Sequence, residues 1–459
     1  MKNIILNADS YKASHYLQYP EGVTGAYSYI ESRGGMYDET LFFGLQGFMK
    51  EYLEGKVVTR DGIEEAAEFF EAHGEPFNRK GWEYILSVHK GRLPVRIRAV
   101  REGAFIPTGN VLVSSESTDP VCAWLPSYLE TSLLRAVWYP TTVATRSARI
   151  RRLILSHLER TGTPELIDFK LHDFGKRGAS SYESSAIGAA AHLVSFNGTD
   201  TVSGVLWAKR NYYAGIAGFS IPASEHSTMT IRGEAGELES FRQMIREFGK
   251  PGKMFACVSD GYDIIAACAK WGSLKDELIA SGATLVVRPD SGDPVRVSFE
   301  VIRELEKFFG TTVNSKGFKV LNTVRVIYGD GINELSIDSI LRTLEYAGYS
   351  ADNIAFGMGG ALLQGLDRDT QKFAMKCSAV KFGLDAWIDV FKDPKTDRQK
   401  RSKRGRVETI RLSDGTIETV RVDDLLPVGA SRMMFDVFEN GYCCQTQTFD
   451  EVRNLARNC

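Results

Sequence analysis

The chain of 459 residues is about three times an ordinary domain length, so more than one structural unit is expected. Apolar residues at 43% and charged residues at 25% are those of soluble globular proteins and argue against a disordered, collagen-like or membrane-spanning chain. With 56 Lys and Arg against 58 Asp and Glu, the net charge of −2 provides no global attraction to nucleic acid or anionic membrane, so any polyanion contact must be local.

The opening MKNIILNADSYKASHY has a short apolar stretch and meets Asp9 too early for a secretory signal. No apolar run approaches the ~18 residues of a membrane span. Residues 1–145 read as mixed α and β. Residues 93–100 alternate apolar and charged side chains with the period of a half-buried strand, residues 27–31 form another strand, and 62–73 and 126–138 have helical character.

From about residue 145 the rhythm changes to short apolar strands that end in Gly/Asp turns and lead into amphipathic helices such as 262–271 and 333–346. That alternation implies parallel βα units. About seven of them point to a closed or nearly closed (β/α) barrel over 146–379, with its chemistry on the loops after the strand C-termini. From about residue 380 the pattern returns to β-hairpins, with Ser413-Asp414-Gly415 as a turn. We therefore expect 380–459 to complete a discontinuous α+β domain with 1–145. The seven cysteines are scattered without a C-x-x-C pair, which suits free thiols in a reducing cytoplasm.

The expected rim carries nearly all the unusual polar residues. In Leu285–Pro294 a buried strand delivers Arg288, Asp290 and Gly292 to one turn. Arginine offers a planar fork for phosphate, Asp290 or Asp293 can hold a divalent ion, and glycine lets backbone N–H groups approach an anion. Gly329-Asp330-Gly331 and Gly357-Met358-Gly359-Gly360 each end a strand and open a helix, as phosphate cradles do, with Arg368 shortly after. His226 stands beside Glu225, with Asp260 and Asp290 at the next rim positions, and carboxylates near an imidazole fix its tautomer and raise its nucleophilicity. His73, His89 and His157 read as helix-surface residues. The P-loop, zinc and G-x-S-x-G patterns are absent. The basic run from Arg398 to Arg406 is too confined for a nucleic-acid face and better suits a phosphate-rich small molecule.

These stretches, with Tyr11-Lys12-Ala13-Ser14-His15-Tyr16, Leu171–Gly178, Gly198–Val202, Ser259–Asp263 and Phe391-Lys392-Asp393-Pro394, resemble the nicotinamide phosphoribosyltransferase family over nearly the whole chain. The resemblance implies formation of nicotinamide mononucleotide and pyrophosphate from nicotinamide and phosphoribosyl pyrophosphate. It also implies Mg2+, coupled ATP hydrolysis through a phosphohistidine, and a homodimer with active sites at its interface. On the matching residues, Phe174 and the partner's counterpart of Tyr11 would sandwich the pyridine ring, and Asp200 would accept from the carboxamide and repel nicotinate. Arg177 and Arg288 would lie near the ring and phosphates. Asp290 would organise ribose and metal, and Gly329, Asp330, Gly359 and Gly360 would hold ribose and 5′-phosphate. Arg33, Arg368, Lys376, Lys392 and Lys400 would bind pyrophosphate or ATP phosphates. His226 would accept the phosphoryl group, oriented by Asp260. Phe169, Ala256 and Ala374 depart from the family pattern of Tyr, Ser and Ser.

Three alternatives stand beside this reading. The same chemistry on nicotinate is opposed by Asp200. A sugar-phosphate isomerase or aldolase would need a rim base or Schiff-base lysine, and no rim lysine is better placed than the phosphate binders. A non-enzymatic binding protein would leave the dense rim of Asp, Arg and His unexplained.

Overall fold

The computed structural model describes residues 3–396 and 400–457. Arg398 and Gln399 of the basic run, and Cys459, lie outside the described residues. The chain divides into two compact units, one made of 1–145, 207–214 and 367–459, the other of 146–206 and 215–366.

The first unit is built on a seven-stranded antiparallel sheet in the order Ile388–Asp389, Phe373–Phe382, Val23–Ser32, Val111–Ser117, Val95–Val100, Met434–Glu439 and Tyr442–Cys443. The period-two pattern of Val95–Val100 has a physical outcome: Val95, Ile97 and Ala99 are buried, while Arg96 and Arg98 point to the opposite face, Arg96 pairing with Glu116 and Glu439 and Arg98 with the buried Glu408. Both chain ends join this sheet, but the second boundary falls at Asp367 and not at 380. Phe373–Phe382 pairs along Val23–Ser32 from Ser32↔Phe373 to Val23↔Phe382, and the backbone hydrogen bonds of that ladder draw the strand into this unit.

The assignment of 207–214 to the first unit was also not visible in the sequence. Glu102 is fully buried and accepts from Gly44 N (2.9 Å), Gln46 N (2.7 Å) and the Tyr212 hydroxyl (2.6 Å). Burial raises its carboxyl above the usual range, with these donors opposing the shift. The Trp207 indole lies where Gly47 has no side chain, 2.1 Å from the position a Cβ would take.

The second unit contains a six-stranded parallel sheet in the order Gly198–Thr199, Leu171–Asp173, Ile354–Met358, Val324–Tyr328, Thr284–Arg288 and Met254–Val258. Its strands are short and mostly buried, as expected when helices cover a parallel sheet. The expected seventh strand is represented by two isolated parallel bridges, Phe219 to Gly198 and Ala223 to Ala256, one to each edge strand. The helices Ile264–Ser273, Pro294–Phe309 and Glu334–Tyr346 are capped by Asp263, Asp293 and Asn333, whose side chains accept first-turn amides. Each of these rim loops therefore fixes the start of the next helix.

Where the strands begin, polar side chains are tied to backbone groups. Lys170 donates to the carbonyls of Ala351 (2.9 Å), Asp352 (3.1 Å) and Ile354 (2.9 Å), and burial pulls its ammonium down to about 7. Arg325 donates to Leu321 O (2.6 Å) and Val324 O (2.7 Å). Asn353 accepts from Leu321 N and donates to Lys319 O and Ser350 O. His157, expected on a helix surface, is 2% exposed and lies between Glu345 (2.8 Å) and Asp338 (3.4 Å). His89 likewise faces Asp119 at 2.8 Å.

Candidate active site

The C-terminal ends of the parallel strands bring His226, Asp260, Arg288 and Asp290 into one hydrogen-bonded chain. His226 opens the short helix His226–Thr230, is exposed, and places Nε2 3.0 Å from Asp260 Oδ1. The other oxygen of Asp260 accepts from Asp290 N (2.9 Å) and the Ser291 hydroxyl (2.5 Å). Burial opposes ionisation of Asp260, but Ser291, the Asp290 amide and His226 together outweigh it and hold the carboxyl below the usual range. Asp290 then accepts from Arg288 Nη2 at 3.0 Å.

Phe174 follows the strand Leu171–Asp173 and is anchored by its amide to Met358 O at 3.0 Å. Its ring lies over Gly357, where a Cβ would sit 2.0 Å from the ring edge, and near Gly329, where the corresponding distance is 3.4 Å. Ala256, Val286 and Ile327 form the apolar floor, with Phe174, Ile221 and Ala355 packed against it. A serine at 256 would put a hydroxyl into that floor, so alanine there keeps it apolar. Phe169 is partly exposed, its ring 6.4 Å from His172 and 6.3 Å from Phe219.

Asp173 organises both neighbouring loops. Its buried carboxylate accepts from Gly175 N (2.7 Å) and Thr199 Oγ1 (3.1 Å), and burial raises its carboxyl above the usual range. Its backbone carbonyl accepts from Asp200 N at 3.0 Å. The Asp200 carboxylate is exposed and receives the Ser220 hydroxyl at 2.5 Å. A cavity of about 510 Å3 opens there, lined by Asp200, Val202, Val205, Ser220, Ile221 and Ala223. Arg177 lies exposed on the turn Lys176–Gly178, whose Gly178 comes within 3.1 Å, at a Cβ position, of Gly360 Cα. Gly329, Asp330, Gly359 and Gly360 occupy the adjoining loops, and Gly359 precedes the turn Gly360–Leu363.

Of the predicted phosphate-binding cations of the first unit, Arg33 and Lys392 lie near enough to Lys376 to act on its charge. Lys376 Nζ donates to Met375 O at 2.6 Å. Burial lowers its ammonium below the usual range; Arg33, Lys392 and Lys12 push the same way and Glu130 opposes them. Arg33 pairs with Glu31 at 2.9 Å, and Lys403 reaches the other oxygen of Glu31 at 3.2 Å. Ala374 lies opposite Glu31 in the strand pair. Lys392 is exposed and its backbone exchanges hydrogen bonds with Ser402. Lys400 is exposed, and Arg368 pairs with Asp369 on an exposed turn. Tyr11 is 52% exposed, edge-on to His15. Ser220 and Ser291 were given no role from sequence, and Lys403 only its share in the basic run. Ser291 had a signal, since it lies between two residues already singled out, whereas Ser220 had none.

A family model described as the nicotinate phosphoribosyltransferase (NAPRTase) family matches residues 169–441. A second, described as the nicotinamide phosphoribosyltransferase N-terminal domain, matches residues 3–97. A curated protein of Xanthomonas campestris named nicotinamide phosphoribosyltransferase is 52% identical over 460 residues, covering 99% of this chain and 98% of that one. The chain belongs to the nicotinamide phosphoribosyltransferase family. Relatives of the same name in Acinetobacter baylyi and Mycoplasma pneumoniae are 32% and 34% identical, covering 98% and 89% of this chain and 96% of each relative. Among solved structures, a nicotinate-nucleotide pyrophosphorylase from Pyrococcus furiosus superposes with a TM-score of 0.63 at 16% identity, covering 99% of this chain and 95% of that one. The human nicotinic acid phosphoribosyltransferase superposes with a TM-score of 0.59 at 18% identity, over 98% and 92% of the two chains. At these identities the two structures speak for the fold of this family member alone.

Proposed function

We propose that the chain is a nicotinamide phosphoribosyltransferase acting in NAD salvage. It transfers the phosphoribosyl group of phosphoribosyl pyrophosphate to nicotinamide, giving nicotinamide mononucleotide and pyrophosphate. The observation that carries this reading is the 52% identity, along nearly the whole of both chains, to a protein of that name. In this reading the parallel sheet and the 219–223 segment form a closed seven-membered (β/α) barrel, with the reaction at its C-terminal rim.

The chemistry asks for positioning more than for acid–base help. The pyridine nitrogen attacks C1 of the ribose with its lone pair, the C1–O bond to pyrophosphate breaks, and the ring becomes a cation. Phe174, seated on Gly357, offers a flat face to the pyridine, and the exposed Tyr11 ring of a second subunit supplies the other face in a homodimer. Asp200, with one oxygen taken by Ser220, accepts from a carboxamide and repels a carboxylate. Arg177 and Arg288 attract the phosphates. Asp290 holds the ribose, while Gly329, Asp330, Gly359 and Gly360 admit it and its 5′-phosphate closely. Arg33, Arg368, Lys376, Lys392 and Lys400 take the departing pyrophosphate and the phosphates of ATP.

Asp290 fits a role toward Mg2+ as a single carboxylate. Among the described residues the one group of three potential ligands is His89, Asp119 and Cys122, in the other unit. A lone carboxylate suits Mg2+ carried largely by pyrophosphate and water, and the ion would supply charge neutralisation on the leaving group. His226 is the phosphoryl acceptor from ATP: Nε2 is held by Asp260, which leaves Nδ1 as the attacking nitrogen. No described helix is long and apolar enough to cross a membrane, and the six described cysteines are free thiols, as a cytoplasmic enzyme requires.

The test is competition between nicotinamide and nicotinate in the presence of phosphoribosyl pyrophosphate and Mg2+, with and without ATP, and product identification by mass. Nicotinamide mononucleotide should dominate, and ATP should raise its yield. His226→Ala should lose both the ATP effect and the acid-labile phosphoryl group. Preferential turnover of nicotinate would sink the assignment in favour of the acid-specific enzyme, the activity that the matched NAPRTase model describes.

A further inference from the structure

We propose that Tyr328 is a positioning residue: its hydroxyl holds the 290–292 turn in the arrangement that lets one carboxylate, Asp260, grip both that turn and His226. The proposal rests on the reading of the rim as an ATP-coupled phosphoribosyl-transfer site.

Tyr328 ends the strand Val324–Tyr328 and is fully buried. Its hydroxyl donates to Ser291 O at 2.9 Å and Gly292 O at 3.0 Å. Burial, reinforced by Asp330, Asp260, Asp293 and Asp290, raises the phenol to about 12, so the group stays a neutral donor throughout the working range of an enzyme. Carbonyl acceptors on the turn match such a donor.

The turn has little slack. Gly292 has φ of +90°, and a Cβ there would lie 2.9 Å from Val297 Cγ2. Asp293 is committed to capping the following helix through Arg296 N at 2.8 Å. On the other side, Asp290 Oδ1 lies 3.0 Å from where Gly329 would carry a Cβ. Adjacent residues thus play complementary parts: Tyr328 supports the turn from within the sheet, and Gly329 leaves room for its carboxylate.

The consequence runs through Asp260. One of its oxygens meets His226 Nε2, and the other takes both the Asp290 amide and the Ser291 hydroxyl. A carboxylate is a rigid plane, so a turn displaced from Oδ2 also releases the orientation of Oδ1. Asp260 therefore links the phosphoryl-accepting histidine to the ribose-holding turn, and Tyr328 fixes the far end of that link.

The deciding variant is Tyr328→Phe, which keeps the ring. We expect the KM for phosphoribosyl pyrophosphate to rise about tenfold with kcat changed much less, since one buried hydrogen bond is worth roughly that factor. ATP consumed per nicotinamide mononucleotide formed should rise several-fold, and Tm should move by only a few degrees. Ser291→Ala, which removes a donor to Asp260 from the other side, should give the same split, and the double variant should be no worse than the more severe single, because both act on one link. Wild-type KM and wild-type ATP stoichiometry in Tyr328→Phe would overturn the proposal. So would a large loss of Tm with parallel losses in kcat that Ser291→Ala does not reproduce, the mark of a merely structural side chain. If the unaltered protein makes no mononucleotide, the assigned reaction fails. Hydrogen exchange at the Asp290 amide then decides the role of Tyr328 by itself: faster exchange in Tyr328→Phe supports it and unchanged exchange overturns it.

Discussion

Lys170 and Arg325 stand where strands of the parallel sheet begin, and Arg288 and Asp290 stand where strands of the same sheet end. Lys170 spends all three of its donors on carbonyls within the protein, and Arg325 gives two carbonyls a single nitrogen, Nη1. At the opposite end Arg288 is partnered through one nitrogen to Asp290, Asp200 by a single serine, and His226 through one ring nitrogen. The same residue types thus serve two purposes, decided by how completely the fold satisfies them. The saturated ammonium of Lys170 holds strand starts together, and incompletely partnered charges at the strand ends retain capacity for a ligand.

Substitutions at the two ends should separate these purposes. Asp290→Ala should lower kcat/KM by about a thousandfold, roughly 4 kcal/mol of transition-state stabilisation, while leaving the urea midpoint nearly unchanged. A loss of stability comparable to the loss of rate would break the contrast. Lys170→Met should do the reverse, reducing unfolding free energy by about 3 kcal/mol because buried carbonyls lose their donor. Its kcat at a temperature where it remains folded should match that of the unaltered chain. The smallest effect expected is that of Asp200→Ser, with discrimination between nicotinamide and nicotinate narrowing about tenfold, or ~1.4 kcal/mol, by competition assay. An unchanged ratio would assign selectivity to other groups of the pocket.

Much of the rim was legible in the sequence because its requirements are local. Apolar runs ending in Ser259-Asp260-Gly261 or Arg288-Pro289-Asp290-Ser291-Gly292 declare a strand, a tight turn and a polar cargo within a few residues. What was missed depends on contacts distant in sequence. Phe373–Phe382 resembles one more strand of the alternating series until its pairing with Val23–Ser32 is seen, more than 300 residues away. Glu102 shows no sign in its own neighbourhood that Tyr212 will close over it. His157 reads as a surface residue because its acidic partners, Asp338 and Glu345, lie on a much later helix. Ser220 was overlooked for another reason: a hydroxyl that orients a carboxylate has no sequence pattern of its own.

The seat of Phe174 carries an implication for how this enzyme can evolve. Even a single methyl at position 357 would collide with the ring, so that position beneath the stacking face is closed to stepwise change. A population challenged with an inhibitor that lies on that face has no escape route through Gly357. Resistance alleles should therefore map to residues around the entrance, such as Asp200, Val202 and Ser220, where a side chain can change without displacing the aromatic ring.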